Sequence, residues 1–455
     1  VHRWSVDTLA QISIPDAILG SSVVAYSPDG LTVAHLDQSN HIHVLDRHHK
    51  KPPLLLQLPD VGFEFLAFSP DQNHLAAGGK VDDKVHLSIW NYQTGELIHR
   101  REWEKGKDAH TGIEDIEFSP NGRTLAAVSF RQNGVHLFDV ITGKRIAWKK
   151  HRSVYGLSFT PDGKTLITAG WDKMVRFWDS GTGQMQREFE VVSDEDEIGA
   201  ADNRIYTVSA DPTGRIFATA HIGNMVRFYH SDNLASHTAI RINGSFVFGS
   251  TTFTPDGLWF VSATSSSVQV WDPWTVTTPA QPMYEFDAHE DHVFTAKFGA
   301  DNRTMVTGGG NIAYLWDLRP QINAAPLAEH LDALVNIDGP AAYQAWWALV
   351  DGGDDSVALI RGELARVSKV IDIGRMASGS KIRERNRRAN LLTTMSRKRP
   401  DSISLAAAKR IISVVSHINT DSSNGLLQQW AANGDEIGKL AAAELKRKEG
   451  YVPEK

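Results

Sequence analysis

Up to about residue 320 the chain is built from short apolar runs in which buried and polar positions alternate with a period of two. Val154–Phe159, Thr165–Ala169 and Met174–Trp178 are representative: brief, rich in β-branched and aromatic residues, and bounded by turn formers, as half-buried strands are. A turn signal recurs between them. Tyr26-Ser-Pro-Asp-Gly30 returns as Phe68-Ser-Pro-Asp71, Phe118-Ser-Pro-Asn-Gly122, Phe159-Thr-Pro-Asp-Gly163 and Phe253-Thr-Pro-Asp-Gly257, with weaker copies at Ala210-Asp-Pro-Thr-Gly214 and Phe298-Gly-Ala-Asp301. After each copy an apolar strand ends on an aromatic or apolar residue and usually an Asp: Val44–Asp46, Ile89–Asn91, Leu137–Asp139, Phe177–Asp179, Phe228–His230, Val270–Asp272 and Leu315–Asp317. Beyond Pro326 this signal stops and the pattern becomes helical. Leu405, Ala408, Ile411 and Ile412 share a helix face, and Asp354-Asp355, Asp401-Ser402 and Ser422-Ser423 stand as caps before helical runs.

Seven paired signals at a spacing of roughly 40–50 residues predict seven four-stranded blades of a β-propeller, with eight as the alternative. A lone small sheet cannot bury both faces, whereas radial packing buries blade against blade. The seventh unit runs out at Leu318-Arg-Pro320 without an outer strand, and Thr8–Ile14 is expected to supply it. The predicted organisation is a propeller over 1–320, a linker with the first helix over 321–338, and an all-α domain over 339–455. The opening residues Val1–Thr8 read as the end of a repeat, so the natural chain is expected to extend upstream, where any signal or anchor would lie.

The repeat resembles the WD-repeat family. The fourth blade carries the fullest likeness, with His151, Thr168, Asp172 and Trp178 matching the family's hydrogen-bonded tetrad. In that resemblance the histidine bridges a strand hydroxyl and a turn carboxylate, and the indole closes the network. The third blade has His110 but Ala127 in place of the hydroxyl, and the seventh has His289, Thr307 and Trp316 without the Asp. The helical region is similar to the HEAT-like extension of some bacterial, planctomycete-type WD-repeat proteins, through Tyr343-Gln-Ala-Trp-Trp-Ala-Leu349, Ser356–Leu364 and Lys439–Leu445. The likeness to the WD-repeat family also implies a partner-binding rim around the narrow face. Trp171 stands just before the tetrad Asp, with Phe130, Arg131, Tyr155, His221 and Phe294 at analogous positions; aromatic and Arg side chains are the usual carriers of interface energy.

Composition narrows the chemistry. The 455 residues include no Cys, which excludes disulfides and thiolate sites. The net charge of −7 gives no whole-chain attraction to nucleic acid or anionic membrane, and no apolar run is long enough to span a bilayer. A soluble chain in the cytoplasm or the cell envelope, such as the periplasm, is expected. No phosphate-binding glycine loop, nucleophile elbow or His-Glu-x-x-His is present, so neither catalysis nor a cofactor is expected. His41, His43, His48 and His49 invite a metal reading, but a third ligand with fixed geometry is not evident. Ser193-Asp-Glu-Asp-Glu197 reads as a solvated loop, with a cation or basic partner as the alternative. The basic cluster is Lys381, Arg383, Arg385, Arg387, Arg388, Arg397, Lys398 and Arg399. It reads first as a solvated or docking helix face and second as a polyanion patch, for which the stacking aromatics are missing.

The expected function is a non-catalytic scaffold that binds protein partners within a complex. The alternatives are the sensor or substrate-holding part of a larger enzyme whose catalytic portion lies upstream, and nucleic-acid or anionic-surface binding through the basic tail.

Overall fold

The computed structural model describes residues 2–5, 11–13, 23–46, 50–82, 84–104, 112–129, 134–192, 203–242, 251–264, 267–274, 282–287, 292–299, 302, 304–309, 312–318, 325–334, 339–363, 402–433 and 436–450. They form two compact units, Val1–Val270 with Glu285–Leu318, and Trp271–Tyr284 with Arg319–Lys455.

The first unit is a seven-bladed propeller. Six blades are four-stranded antiparallel sheets in sequence order. They are β3 (Val24–Tyr26) to β6 (Leu54–Leu56), β7 (Gly62–Phe68) to β10 (Glu96–Glu104), β11 (Asp115–Phe118) to β14 (Arg145–Lys150), β15 (Val154–Phe159) to β18 (Met185–Glu190), β19 (Ile205–Ala210) to β22 (Ser236–Arg241) and β23 (Thr251–Phe253) to β26 (Tyr284–Asp287). The seventh contains β27 (Val293–Phe298), β28 (Thr304–Gly309) and β29 (Ile312–Asp317), and the chain's start completes it. The strand beside β29 is β1 (His2–Ser5), running parallel to it, with β2 (Gln11–Ser13) outside. Thr8–Ile14 therefore does not supply that strand directly. A hairpin of such short strands carries too little alternation for the sequence to choose its inner member.

Local chemistry explains the turns. In the first blade Asp29 accepts from Leu31 N (2.9 Å) and Ser27 Oγ accepts from Thr32 N (2.8 Å), while Gly30 takes φ +70°. The same side-chain clasp returns at Ser119 with Asn121 and at Thr160 with Asp162. Gln72 adopts φ 59° where the second blade lacks the glycine, a strain the surrounding clasp overrides.

The core lies between blades. One apolar cluster joins Leu75, Trp90 and Phe68 of the second blade to Ile42 and Leu56 of the first; another joins Leu87 and Ile89 to Ile116, Leu125 and Phe138. The inner strands are also stitched edge to edge. Leu157 N donates to Asp115 (3.3 Å), Ala210 N to Ser158 Oγ (3.1 Å), and Ser209 Oγ to the Thr251 carbonyl (2.8 Å). These bonds satisfy backbone groups that innermost strands would otherwise leave open.

In the second unit the described helices are α1 (Leu327–Leu334), α2 (Gly339–Asp351), α3 (residues 353–363), α4 (Ser402–Ile418), α5 (Asp421–Ala431) and α6 (Glu436–Gly450). α1 packs on α2, and α4 packs on α2, α5 and α6. Trp346 is buried, donates to Ser413 Oγ (3.3 Å) and meets the Trp347 and His417 rings edge-on. The cap of α5 is Thr420, which forms a capping box with Ser423 and stands two residues before the expected Ser422-Ser423 pair. Ala408, Ile411 and Ile412 are buried together.

Candidate functional site

The first strands of the blades surround a cavity of about 750 Å³. Each starts at one end of it and leads to the turn motif at the other, which contains Pro in every blade but the seventh; Pro120, Pro161 and Pro212 line the wall. Near the starting end the pairing register skips one residue in four blades, between Phe63 and Phe65, Val154 and Gly156, Ile205 and Thr207, and Val293 and Thr295. The residues so bulged are Glu64, Tyr155, Tyr206 and Phe294, and all four line the cavity. A β-bulge re-aims a side chain without lengthening the blade, so the same irregularity builds one ring of mouth residues. Counting back from the turn places Glu114 at the same level in the third blade.

Two sectors result. Tyr155 and Trp171 stack with centroids 4.9 Å apart, and Tyr206 meets them edge-on at 5.5 and 5.7 Å. The Arg204 guanidinium lies over the Trp171 ring at 4.8 Å. Phe294, in the seventh blade, is 40% exposed. The adjoining sector is acidic: Glu64 is paired with Lys80 (2.7 Å), and Glu114, Asp115 and Glu117 follow on the third blade. Burial, reinforced by Glu64 and Asp115, pushes the Glu114 carboxyl up to about 7. Burial raises Asp115 to about 6 and Glu117 to about 8, and Lys297 opposes it in both.

The fourth blade places its four tetrad residues together. His151 Nδ1 lies 2.8 Å from Thr168 Oγ1 and its Nε2 lies 3.2 Å from Asp172, while Trp178 Nε1 donates to Thr168 Oγ1 (2.8 Å). Burial lowers the affinity of His151 for a second proton. Burial also works to raise Asp172, but the bonds and charges of His151 and Arg176 prevail and hold it below its usual value. In the seventh blade Trp316 Nε1 donates to Thr307 Oγ1 (2.7 Å); in the third, Ala127 is buried beside Phe138.

His221 corrects the expected rim. It is 0% exposed, with Nε2 2.8 Å from Thr219 Oγ1 and Nδ1 3.3 Å from the Asn203 carbonyl. At the last position of its strand it turns inward and meets Thr219, the fifth blade's counterpart of the Thr168 that His151 meets from a loop. It is a core histidine and not a contact residue. His41 and His43 converge on one oxygen of Asp37, at 3.3 and 2.9 Å. Burial opposes the effect, but these bonds bring Asp37 down to about 2. No group of three ligands that could hold a metal occurs among the described residues. Phe130, Arg131, His48, His49, His110, His289, the acidic run 193–197 and the basic residues 381–399 lie outside the described residues. No described helix is long and apolar enough to cross a membrane.

Sequence reasoning missed Tyr206, Arg204 and the third-blade carboxylates. A signal existed: Glu64, Glu114, Tyr155, Tyr206 and Phe294 each stand four residues before the residue that opens the turn motif.

Comparison with known proteins bears on this geometry. The family model described as WD domain, G-beta repeat matches residues 144–179 and 280–317, within blades three, four, six and seven. The chain is 26% identical over 157 residues to the B-type cell cycle switch protein ccs52B of Medicago truncatula, covering 34% of this chain and 31% of that protein. It is 25% identical over 201 residues to pre-mRNA-processing factor 19 homolog 2 of Arabidopsis thaliana, covering 44% and 35%. It is 31% identical over 133 residues to eukaryotic translation initiation factor 3 subunit I of Phaeosphaeria nodorum, covering 26% and 36%. The matched region spans about a third of the length of these relatives. The repeat is thus matched by sequence in segments of a ring of seven blades, and over those segments the chain is similar to the WD40-repeat family.

Proposed function

We propose that the chain is a non-catalytic scaffold that binds a protein partner across the mouth of its channel, as part of a larger assembly. The observation that carries this reading is the shelf of Tyr155, Trp171 and Tyr206 with Arg204 above it, set beside a cavity of about 750 Å³. Partly exposed aromatic rings held by their neighbours present a large contact area at little cost in side-chain entropy, and Tyr, Trp and Arg dominate interface hot spots. WD40 propellers in general act through protein–protein contacts, and fold alone does not name the partner. The likeness of Tyr343–Leu349 to the helical extension of bacterial WD-repeat proteins supports the second unit as a further contact surface.

The test is affinity purification with mass spectrometry using the unaltered chain and Trp171→Ala. Loss of a specific set of partners in the variant is expected. Equal recovery from both would remove the proposed face.

A further inference from the structure

We infer that the channel mouth receives a basic side chain, lysine or arginine, presented by a peptide segment of the partner. The inference rests on the reading of the mouth as the partner face and gives that partner its chemistry.

The side chains at the level of the mouth are ordered by blade. Glu64 and Glu114 come from blades two and three, Tyr155 and Tyr206 from blades four and five, so an acidic half adjoins an aromatic half. Asp115 and Glu117 continue the acidic half inward along the same strand as Glu114. With Glu64 neutralised by Lys80, three carboxylates of the third blade face a lining whose one described cation is Lys297. The Glu114 side chain enters no hydrogen bond among the described residues. Among the described residues Asp115 accepts from the backbone N–H groups of Leu157 (3.3 Å) and Ile116, and Glu117 from that of Phe159 (3.5 Å).

A lysine or arginine fits both halves at once. Its methylene stem lies on rings and its head seeks carboxylates, which is how such side chains settle against mixed surfaces. The Arg204 guanidinium over Trp171 shows that this shelf already accepts a cation at a ring face. A cavity of about 750 Å³ falls within the roughly 300–1,000 Å³ of ligand-holding clefts, ample for one long side chain and the backbone that carries it. The elevated proton affinity of Glu114 and Glu117 agrees with the picture, since the wall holds protons where an occupying cation would replace them. An acidic or polyanionic occupant is disfavoured by the same charges.

The test selects a random dodecapeptide display library against the full chain and against a Glu114→Gln, Glu117→Gln double variant. The first substitution loses no described bond and the second keeps an oxygen for Phe159 N; melting curves that match at about pH 5, where both carboxyls are protonated, verify the fold. Recovered sequences are expected to carry Lys or Arg at a fixed position. The best peptide, made synthetically, should lose about tenfold or more in affinity for the double variant and when its basic residue is replaced by norleucine. Recovery without basic enrichment, or equal affinity for the double variant, overturns the inference. Spermine binding as tight as the peptide would overturn the assignment to a peptide. Tyr206→Ala separates the two readings. Non-basic peptides that lose affinity for it leave the partner face standing and remove the cation, whereas peptides indifferent to both variants remove both.

Discussion

Blades three and four occupy equivalent places in one ring, yet they hold together by different chemistry. In the fourth, Thr168 Oγ1 meets both His151 and Trp178, and Asp172 ties His151 to Arg176, which reaches on to Glu188. In the third the register puts Ala127 opposite His136 as Thr168 is opposite Arg176, and Phe138 stands where Trp178 would. His136 is 1% exposed, with its ring 4.6 Å from Trp103, and neither nitrogen has a hydrogen-bond partner among the described residues. A polar network is thus optional: blade-to-blade apolar packing sustains the fold, and the network adds rigidity only where every member is satisfied.

The largest effect is expected from Thr168→Val. It preserves volume but removes the bond of a buried imidazole and of a buried indole, each costing about 1–3 kcal/mol when left open. Urea unfolding followed through the propeller should show a loss of about 2–5 kcal/mol. A loss under about 0.5 kcal/mol would mean that the fourth blade, like the third, relies on packing alone.

The reverse graft comes next. Ala127→Thr inserts a hydroxyl and a methyl group into a fully buried position beside Ile113, Ile116 and Phe138. With no indole to donate to it, the expected cost is about 1–3 kcal/mol. Adding Phe138→Trp supplies the donor, and a double-mutant cycle should show favourable coupling. Strict additivity would show that the tetrad's geometry does not transfer between blades.

How much of this contrast could be read from the chain follows from how local each feature is. The Pro-Asp-Gly turns and the tetrad spacing of His151, Thr168, Asp172 and Trp178 depend on residues within one blade, so pattern and resemblance sufficed. His221 was misplaced because its role depends on which way a strand's last residue turns. Tyr206 was missed because a bulge is a property of pairing between strands, and Glu114 because its place at the mouth shows only against the other blades, although the offset of both from the turn was visible. The charge state of Glu117 depends on burial and on Lys297 from the seventh blade, which no local pattern reports.

A third contrast appears in acid. Burial drops His136 to about 3, so in the folded state it stays neutral where the unfolded chain would protonate near its usual 6.5. The folded state therefore binds fewer protons in this window, and stability present above pH 6.5 is lost as pH falls toward 3. His136→Phe should stay within about 1 kcal/mol of the parent at pH 7 and be the more stable of the two at about pH 4.5. His151→Phe, in contrast, should be destabilising at both, because Thr168 and Asp172 lose a partner. Parallel urea titrations at the two pH values check the pair. Equal acid sensitivity in His136→Phe and the parent would assign the acid transition elsewhere.

The smallest effect lies at the mouth, where the fourth blade has Tyr155 and the third has Glu114. Here the sign reverses. A carboxyl raised to about 7 holds its proton more tightly folded than unfolded. Its contribution is fully present below its usual value near 4.5 and is lost as pH rises through 7. Glu114→Gln should therefore match the parent at about pH 5 and exceed it at about pH 8.5, by on the order of 1 kcal/mol once channel water has screened the charge. Thermal melts at the two pH values read this out. No gain at the higher pH would mean the carboxylate is already well solvated there, which would also weaken the case that the channel wall awaits a cation. A gain would show the third blade holding a charge that its own fold does not need.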